Sequence, residues 1–175
     1  QLLINTKEET RYSTHQNSIR TPGYEKFLRR LIDPVAKHYS LSAKGLDFGS
    51  GPYPMLIELM NEDGFKYIDS FDPIFTKDST YLSKKYDFIT MCEVIEHINE
   101  PNVSLREVIS LLNLNGRLII STGVFNNALD FHNWHYINDD THINIFSYKT
   151  FEWISEEFRV ELEHIENDLI IFLKK

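Results

Sequence analysis

Cysteine is nearly absent: Cys92 is the single one in 175 residues. An internal disulfide and a thiolate zinc cluster are both excluded, which fits a reducing cytosol. No apolar run approaches the ~20 residues that cross a bilayer, and no secretory pattern opens the chain. A cytoplasmic protein with no membrane partner is expected. The sequence starts at Gln1 and leaves open what precedes it. Basic charge is also scarce, since 18 Lys and Arg face 26 Asp and Glu for a formal charge of −8. Neutralising phosphates requires a basic face, so a broad grip on nucleic acid is disfavoured. A local basic patch, and with it an RNA end as partner, stays open. There is no Gly-x-Ser-x-Gly elbow, no phosphate-binding Gly-Lys-Ser/Thr loop and no internal repeat. With 42% hydrophobic residues, a chain of this length forms one core and buries roughly 70% of its unfolded surface.

What is present is an alternation of strands and helices. The first twenty residues are polar and irregular and read as an arm. Thr21 is a plausible N-cap before Pro22, after which Tyr24, Phe27, Leu28, Leu31 and Ile32 recur at helical spacing, with Pro34 expected to kink or restart the helix. Strands are expected over 44–48, 65–71, 86–91 and 116–122, and helices over 54–62 and 102–112. Residues 123–144 have no clean period and are rich in His, Asn, Asp and aromatic side chains. Loops of that length are usually functional or disordered. Phe131-His132-Asn133-Trp134-His135-Tyr136 with Asp139-Asp140-Thr141-His142 can line a lid, aromatics excluding water and histidines acting as proton carriers or ligands. A helix near 147–157 precedes strands at about 159–165 and 168–174, joined by Glu166-Asn167-Asp168 as an antiparallel hairpin. The pattern predicts an α/β three-layer sandwich, mostly parallel, with a C-terminal antiparallel hairpin.

Three constellations carry chemistry. In Gly45-Leu46-Asp47-Phe48-Gly49-Ser50-Gly51-Pro52, a buried strand runs through a glycine turn into a helix start, where bare backbone can approach a small anionic group. Asp47 at the strand end can accept from a ligand cation, so the site suits a ligand bearing both charges. A dinucleotide fingerprint would place a third glycine where Pro52, Tyr53 and Pro54 stand, which weakens a nicotinamide reading. Asp72, about twenty residues further on and followed by Pro73, can bind a ribose hydroxyl pair or merely start a turn. In Cys92-Glu93-Val94-Ile95-Glu96-His97, a helical turn beginning at Glu93 would put Glu93, Glu96 and His97 on one face. That set suits Mg²⁺ or Mn²⁺, with Zn²⁺ also possible. The alternative is that Glu93 faces a cofactor, Glu96 caps a helix and His97 packs on the next loop. Cys92 reads as a small buried residue rather than a nucleophile. His132 and His135 read as exposed, whereas His142 precedes Ile143, Ile145 and Phe146, which should anchor it near the sheet.

Together Leu46–Pro54, Phe71-Asp72-Pro73, Tyr86–Pro101 and Leu112–Thr122 resemble the ordered motifs of class I S-adenosylmethionine-dependent methyltransferases, including uncharacterised bacterial members. The resemblance implies a Rossmann-like sandwich in which Gly49, Ser50 and Gly51 approach the methionine moiety, Asp47 meets its amino group and Asp72 with Pro73 binds the ribose. Met91, Cys92 and Glu93 would edge the cofactor cleft. Residues 1–43, carrying Arg11, Tyr12, His15, Asn17 and Tyr24, would cover that cleft, and 44–175 would form the core. Glu93, Glu96 and His97 look like the Glu-x-x-Glu-His cluster of ubiquinone-biosynthesis O-methyltransferases and small-RNA 2′-O-methyltransferases, with His142 as a further ligand. One departure is clear: the span from Asp72 to Tyr86 is too short for the usual helix and third strand, leaving Asp78 as a weak candidate for the adenine contact.

The expected activity is methyl transfer from S-adenosylmethionine to an oxygen of a small molecule or a terminal hydroxyl, with His97 or His142 as general base if no metal ion serves. A non-catalytic S-adenosylmethionine-binding scaffold and a nicotinamide-dependent oxidoreductase are the competing readings. The protein is expected to be a monomer or dimer.

Overall fold

The structure, a computed structural model, describes residues 20–76, 78–126 and 131–175. The first helix, α1, spans Pro22–His38, capped by the Thr21 hydroxyl, which accepts from Tyr24 N at 3.2 Å. It runs without interruption through Pro34. The expected restart does not occur: the proline removes one i→i−4 bond, but the buried Leu28, Leu31, Ile32 and Val35 hold both halves against the sheet.

Strand β1 (Lys44–Phe48) leads through the glycine turn to α2 (Met55–Glu62) and β2 (Tyr67–Phe71). Among the described residues, the helical element between β2 and β3 (Tyr86–Cys92) is a 3₁₀ turn, Thr80–Ser83, so the shortening foreseen after the second strand is real. Then come α3 (Pro101–Leu111) and β4 (Leu112–Ser121). β4 starts four residues before Gly116, the expected start, because α3 passes straight into it at Leu112. A short parallel pair not foreseen from the sequence, β5 (Val124–Phe125) and β6 (Phe146–Ser147), closes the base of the long loop. The chain ends with α4 (Tyr148–Phe158) and the hairpin β7 (Val160–Glu166) and β8 (Leu169–Lys174).

The six-stranded sheet has the order β2-β1-β3-β4-β8-β7. Its first four strands are parallel and β8 runs antiparallel to both neighbours. Alternation of side chains splits the core into two layers. Phe88, Ile119 and Ile171 face α1 and α2, while Ile89, Met91, Leu118, Ile120 and Phe172 face α3 and α4. Gly45 is glycine because Phe88 lies across it: a Cβ there would stand 2.3 Å from the ring.

The strand order makes β1 and β3 the switch point of the winding. The chain proceeds outward from β1 to β2 on one side and from β3 to β4 on the other, opening a crevice past the carboxyl ends of β1 and β3. Both candidate motifs sit there. Leu31 is fully buried where α1 meets the sheet, so Leu31→Ala is expected to cost about 2–5 kcal/mol, measured by urea denaturation.

Candidate active site

The glycine turn is held at its backbone. Gly49 N and Ser50 N both donate to Phe71 O, at 2.7 and 3.1 Å, and Gly51 N donates to Asp72 Oδ2 at 3.0 Å. Gly49 and Gly51 have φ of +84° and +65°, a region costly to residues with a Cβ. A Cβ at Gly49 would strike Val94 at 2.5 Å, whereas one at Gly51 would meet nothing within 4 Å. Bare backbone at Gly51 therefore borders open space. Ser50 Oγ turns back to Gly51 O at 3.4 Å.

Asp47, at 3% exposure, accepts from Thr90 Oγ1 at 2.8 Å. Burial pushes its carboxyl up to about 6, the Thr90 bond opposes this and the charge of Asp72 adds to it. Asp72 is also buried, and its second oxygen accepts from Ile74 N and Phe75 N at 2.8 and 3.0 Å around Pro73. It thus clasps the glycine turn to the turn after β2, and Oδ2, which accepts a single N–H, retains a lone pair for a ligand hydroxyl. Asp78 accepts from Thr80 N and Thr80 Oγ1, both at 2.9 Å, and is a local turn cap.

Across the crevice, Cys92 ends β3 and burial raises its thiol well above the ordinary value. That is no nucleophile's environment. Glu93 adopts φ +52°, so it does not begin a helical turn. The chain instead swings from β3 into a 3₁₀ turn at Ile95–His97, which puts Val94 under Gly49. Glu93 N donates to Ser121 O at 2.9 Å and its carboxylate accepts from Ser121 Oγ at 2.8 Å. Burial, then the charge of Glu96, pushes the Glu93 carboxyl up.

Glu96 has 0% exposure. It accepts from Tyr136 Oη at 2.6 Å and Thr122 Oγ1 at 2.9 Å. It does not cap a helix. Glu96, His97 and His142 offer ligand atoms that all lie within 4.8 Å of one another, and Glu93 is not among them. His97 Nδ1 lies 3.0 Å from Thr141 O and His142 Nδ1 lies 2.7 Å from Tyr136 O. A carbonyl only accepts, so each Nδ1 carries the proton, and Nε2 is the nitrogen that bears the lone pair when a ring is neutral. Burial lowers the pKa of His97, favouring that neutral form. The loop carrying His142 is fixed by Ile143 N and Asn144 N, which both donate to Glu96 O at 3.0 Å.

From α1, Tyr24 reaches the crevice beside Cys92 and Asp47; burial, then those two groups, raises its phenol to about 12. Arg30 pairs with Asp168 of the β7–β8 turn, tying α1 to the same edge. Arg11, Tyr12, His15 and Asn17 lie outside the described residues. His132 and His135 are exposed, as expected of loop histidines. The sequence reading missed Thr90, Ser121 and Thr122, and named Tyr136 only among the side chains that can line a lid. The signal was available for the first three: each is a hydroxyl within or directly after an otherwise apolar strand.

The family described as a methyltransferase domain matches residues 20–165. The chain belongs to the methyltransferase-domain family. It is an S-adenosylmethionine-dependent methyltransferase. Among solved structures, magnesium protoporphyrin IX methyltransferase from Synechocystis PCC 6803, with bound S-adenosylhomocysteine, is similar at 12% identity and TM-score 0.66, over 98% of this chain and 96% of that one. A variant of LepI, in complex with S-adenosylhomocysteine and a substrate analogue, aligns at 11% identity and TM-score 0.60, over 82% of this chain and 46% of that one. An O-methyltransferase family protein from Burkholderia thailandensis aligns at 9% identity and TM-score 0.57, over 95% and 61%. At such identities the likeness is one of fold. Against curated protein sequences there is no match. Among the described residues, no helix is long and apolar enough to cross a membrane.

Asp47 generates a pH prediction. Its folded value of about 6 lies above an unfolded value near 3.9, so between these the native state holds more protons and stability falls as pH rises from about 4 to 6. Asp47→Asn keeps an acceptor for Thr90 and removes this cost. Thermal unfolding of the ligand-free protein at pH 7 should move upward by an increment worth up to about 3 kcal/mol, with a flatter pH 4–6 slope, while S-adenosylhomocysteine binding by calorimetry weakens.

Proposed function

We propose that this methyltransferase transfers a methyl group to an oxygen of a small molecule or a terminal hydroxyl, assisted by a divalent ion at Glu96, His97 and His142. The observation that carries the reading is the convergence of those three donors within 4.8 Å, with each imidazole braced by a main-chain carbonyl. Such bracing of the second ring nitrogen is the arrangement that metal-ligating histidines require. Two imidazole nitrogens and one carboxylate oxygen suit Mn²⁺ or Zn²⁺ better than Mg²⁺.

The residues also fit the cofactor. The backbone of Gly49–Gly51 and Asp47 would hold its amino-acid end, Asp72 with Pro73 its ribose, and Cys92 and Glu93 the crevice edge. Tyr24 supports reading residues 1–43 as the cover of this cleft and 44–175 as the core. Bound there, S-adenosylmethionine supplies a methyl group already activated on sulfonium. The chain's own work is alignment, worth roughly 7–11 kcal/mol in well-oriented reactions, and removal of the acceptor proton. An ion at the triad lowers the pKa of a hydroxyl brought to it. The net charge of −8 favours small acceptors over an RNA end.

The test is labelled-methyl transfer to a panel of hydroxylated acceptors. Chelator is expected to abolish turnover and Mn²⁺ to restore it, and His97→Ala and Glu96→Ala are each expected to lower kcat by about 100-fold or more. Turnover untouched by chelator would discard the ion and leave proton removal to His97 or His142 alone.

A further inference from the structure

Tyr136 belongs to the long aperiodic loop, yet it is 7% exposed and sits at the centre of the acidic cluster. A 3₁₀ turn over His135–Asn138 carries it inward. Its ring lies flat on Gly123, where a Cβ would stand 2.8 Å from three ring carbons. One face stacks on Trp134, with centroids 4.9 Å apart and planes at 20°. The same ring meets the His142 imidazole at 4.0 Å. Rotation of the phenol is thereby blocked, and its hydroxyl is delivered to Glu96 Oε1 at 2.6 Å. Thr122, the residue before Gly123, delivers a second hydroxyl to Glu96 Oε2 at 2.9 Å and lies 2.9 Å from the phenol oxygen. The Tyr136 carbonyl meanwhile takes the His142 Nδ1 proton at 2.7 Å.

Two members of the candidate triad are therefore set by one loop residue and its strand-end partner. We propose that Tyr136 and Thr122 are positioning residues of a divalent-ion site: their hydroxyls fix the plane of the Glu96 carboxylate, and the Tyr136 carbonyl fixes the tautomer and tilt of His142. Neither side chain is itself a ligand. The proposal rests on the ion-site reading above. It adds that cation affinity is controlled from outside the ligand set, by a pair that also closes the loop over the crevice.

Outer hydrogen-bond partners of this kind are worth about 10–100-fold in metal affinity. In the intact chain, Tyr136→Phe is expected to weaken Mn²⁺ binding by at least about 10-fold in titration calorimetry, to alter the visible absorption of the Co²⁺-loaded protein, and to leave S-adenosylhomocysteine affinity unchanged. Thr122→Val should act in the same direction and Thr122→Ser, which keeps the hydroxyl, should restore binding. If Tyr136→Phe does not fold, the Val/Ser contrast at Thr122 decides. Equal Mn²⁺ affinity in wild type, Tyr136→Phe and Thr122→Val would overturn this proposal while leaving the ion site standing. A wild-type protein that takes up no Mn²⁺ would overturn both.

Discussion

A carboxylate with no exposed surface, that of Glu96, is the constraint from which the active edge of this molecule follows. A charge taken out of water costs several kcal/mol unless it is paired and hydrogen-bonded. Both oxygens of Glu96 receive hydroxyl donors, and its carbonyl receives two backbone N–H groups from Ile143 and Asn144. Those partners come from the end of β4 and from two separate stretches of the long loop. The loop must return across the 3₁₀ turn to supply them, and the β5–β6 bridge fixes where it leaves and re-enters. Asn144 adds a side-chain bond to Ile98 O at 2.6 Å. Residues 131–144 are held here by these polar bonds together with the stacking of Trp134 on Tyr136.

The glycine turn and the acidic cluster are mechanically joined. Glu93 adopts a left-handed backbone conformation to take the chain out of β3, and Val94 then fills the space under Gly49. Any shift of the 3₁₀ turn that carries Glu96 and His97 is felt at the backbone of the glycine turn. On the far side, Asp72 ties that same backbone to the end of β2. Helix α1 completes the enclosure through Tyr24, and the Arg30–Asp168 pair anchors it to the β7–β8 turn. These couplings account for a site that combines two raised carboxyls, Asp47 and Glu93, with neutral imidazole. Burial and like charge, arranged at one place, are how active sites hold groups away from their ordinary protonation.

The layers, the mostly parallel sheet and its terminal hairpin were legible because they depend on periodicity and turn chemistry, which are local; the strand order was not. The Gly49-Ser50-Gly51 turn announced a place where bare backbone can meet a ligand, without any knowledge of packing; that it lies at the switch point of the winding took the strand order. The missing element after β2 could be read from chain length alone. What escaped was set by tertiary demand. Pro34 failed to break α1 because Leu31 and Val35 bind both sides of it to the sheet. Glu93 was assigned to a helical turn by spacing, but the space beneath Gly49 required Val94 and forced φ positive. Tyr136 could be read only as one of several aromatics lining a lid, since its bond to Glu96 becomes visible only when Gly123 and Glu96 are seen to meet it.

The central claim is that Glu96, His97 and His142 form one cation site, and anomalous scattering from crystals soaked in Mn²⁺ with S-adenosylhomocysteine tests it most directly. The account predicts a manganese peak bound by Nε2 of both histidines and by the Glu96 carboxylate, beside cofactor product seated on Gly49–Gly51. Product bound in that cradle with no anomalous peak between the three side chains would contradict it.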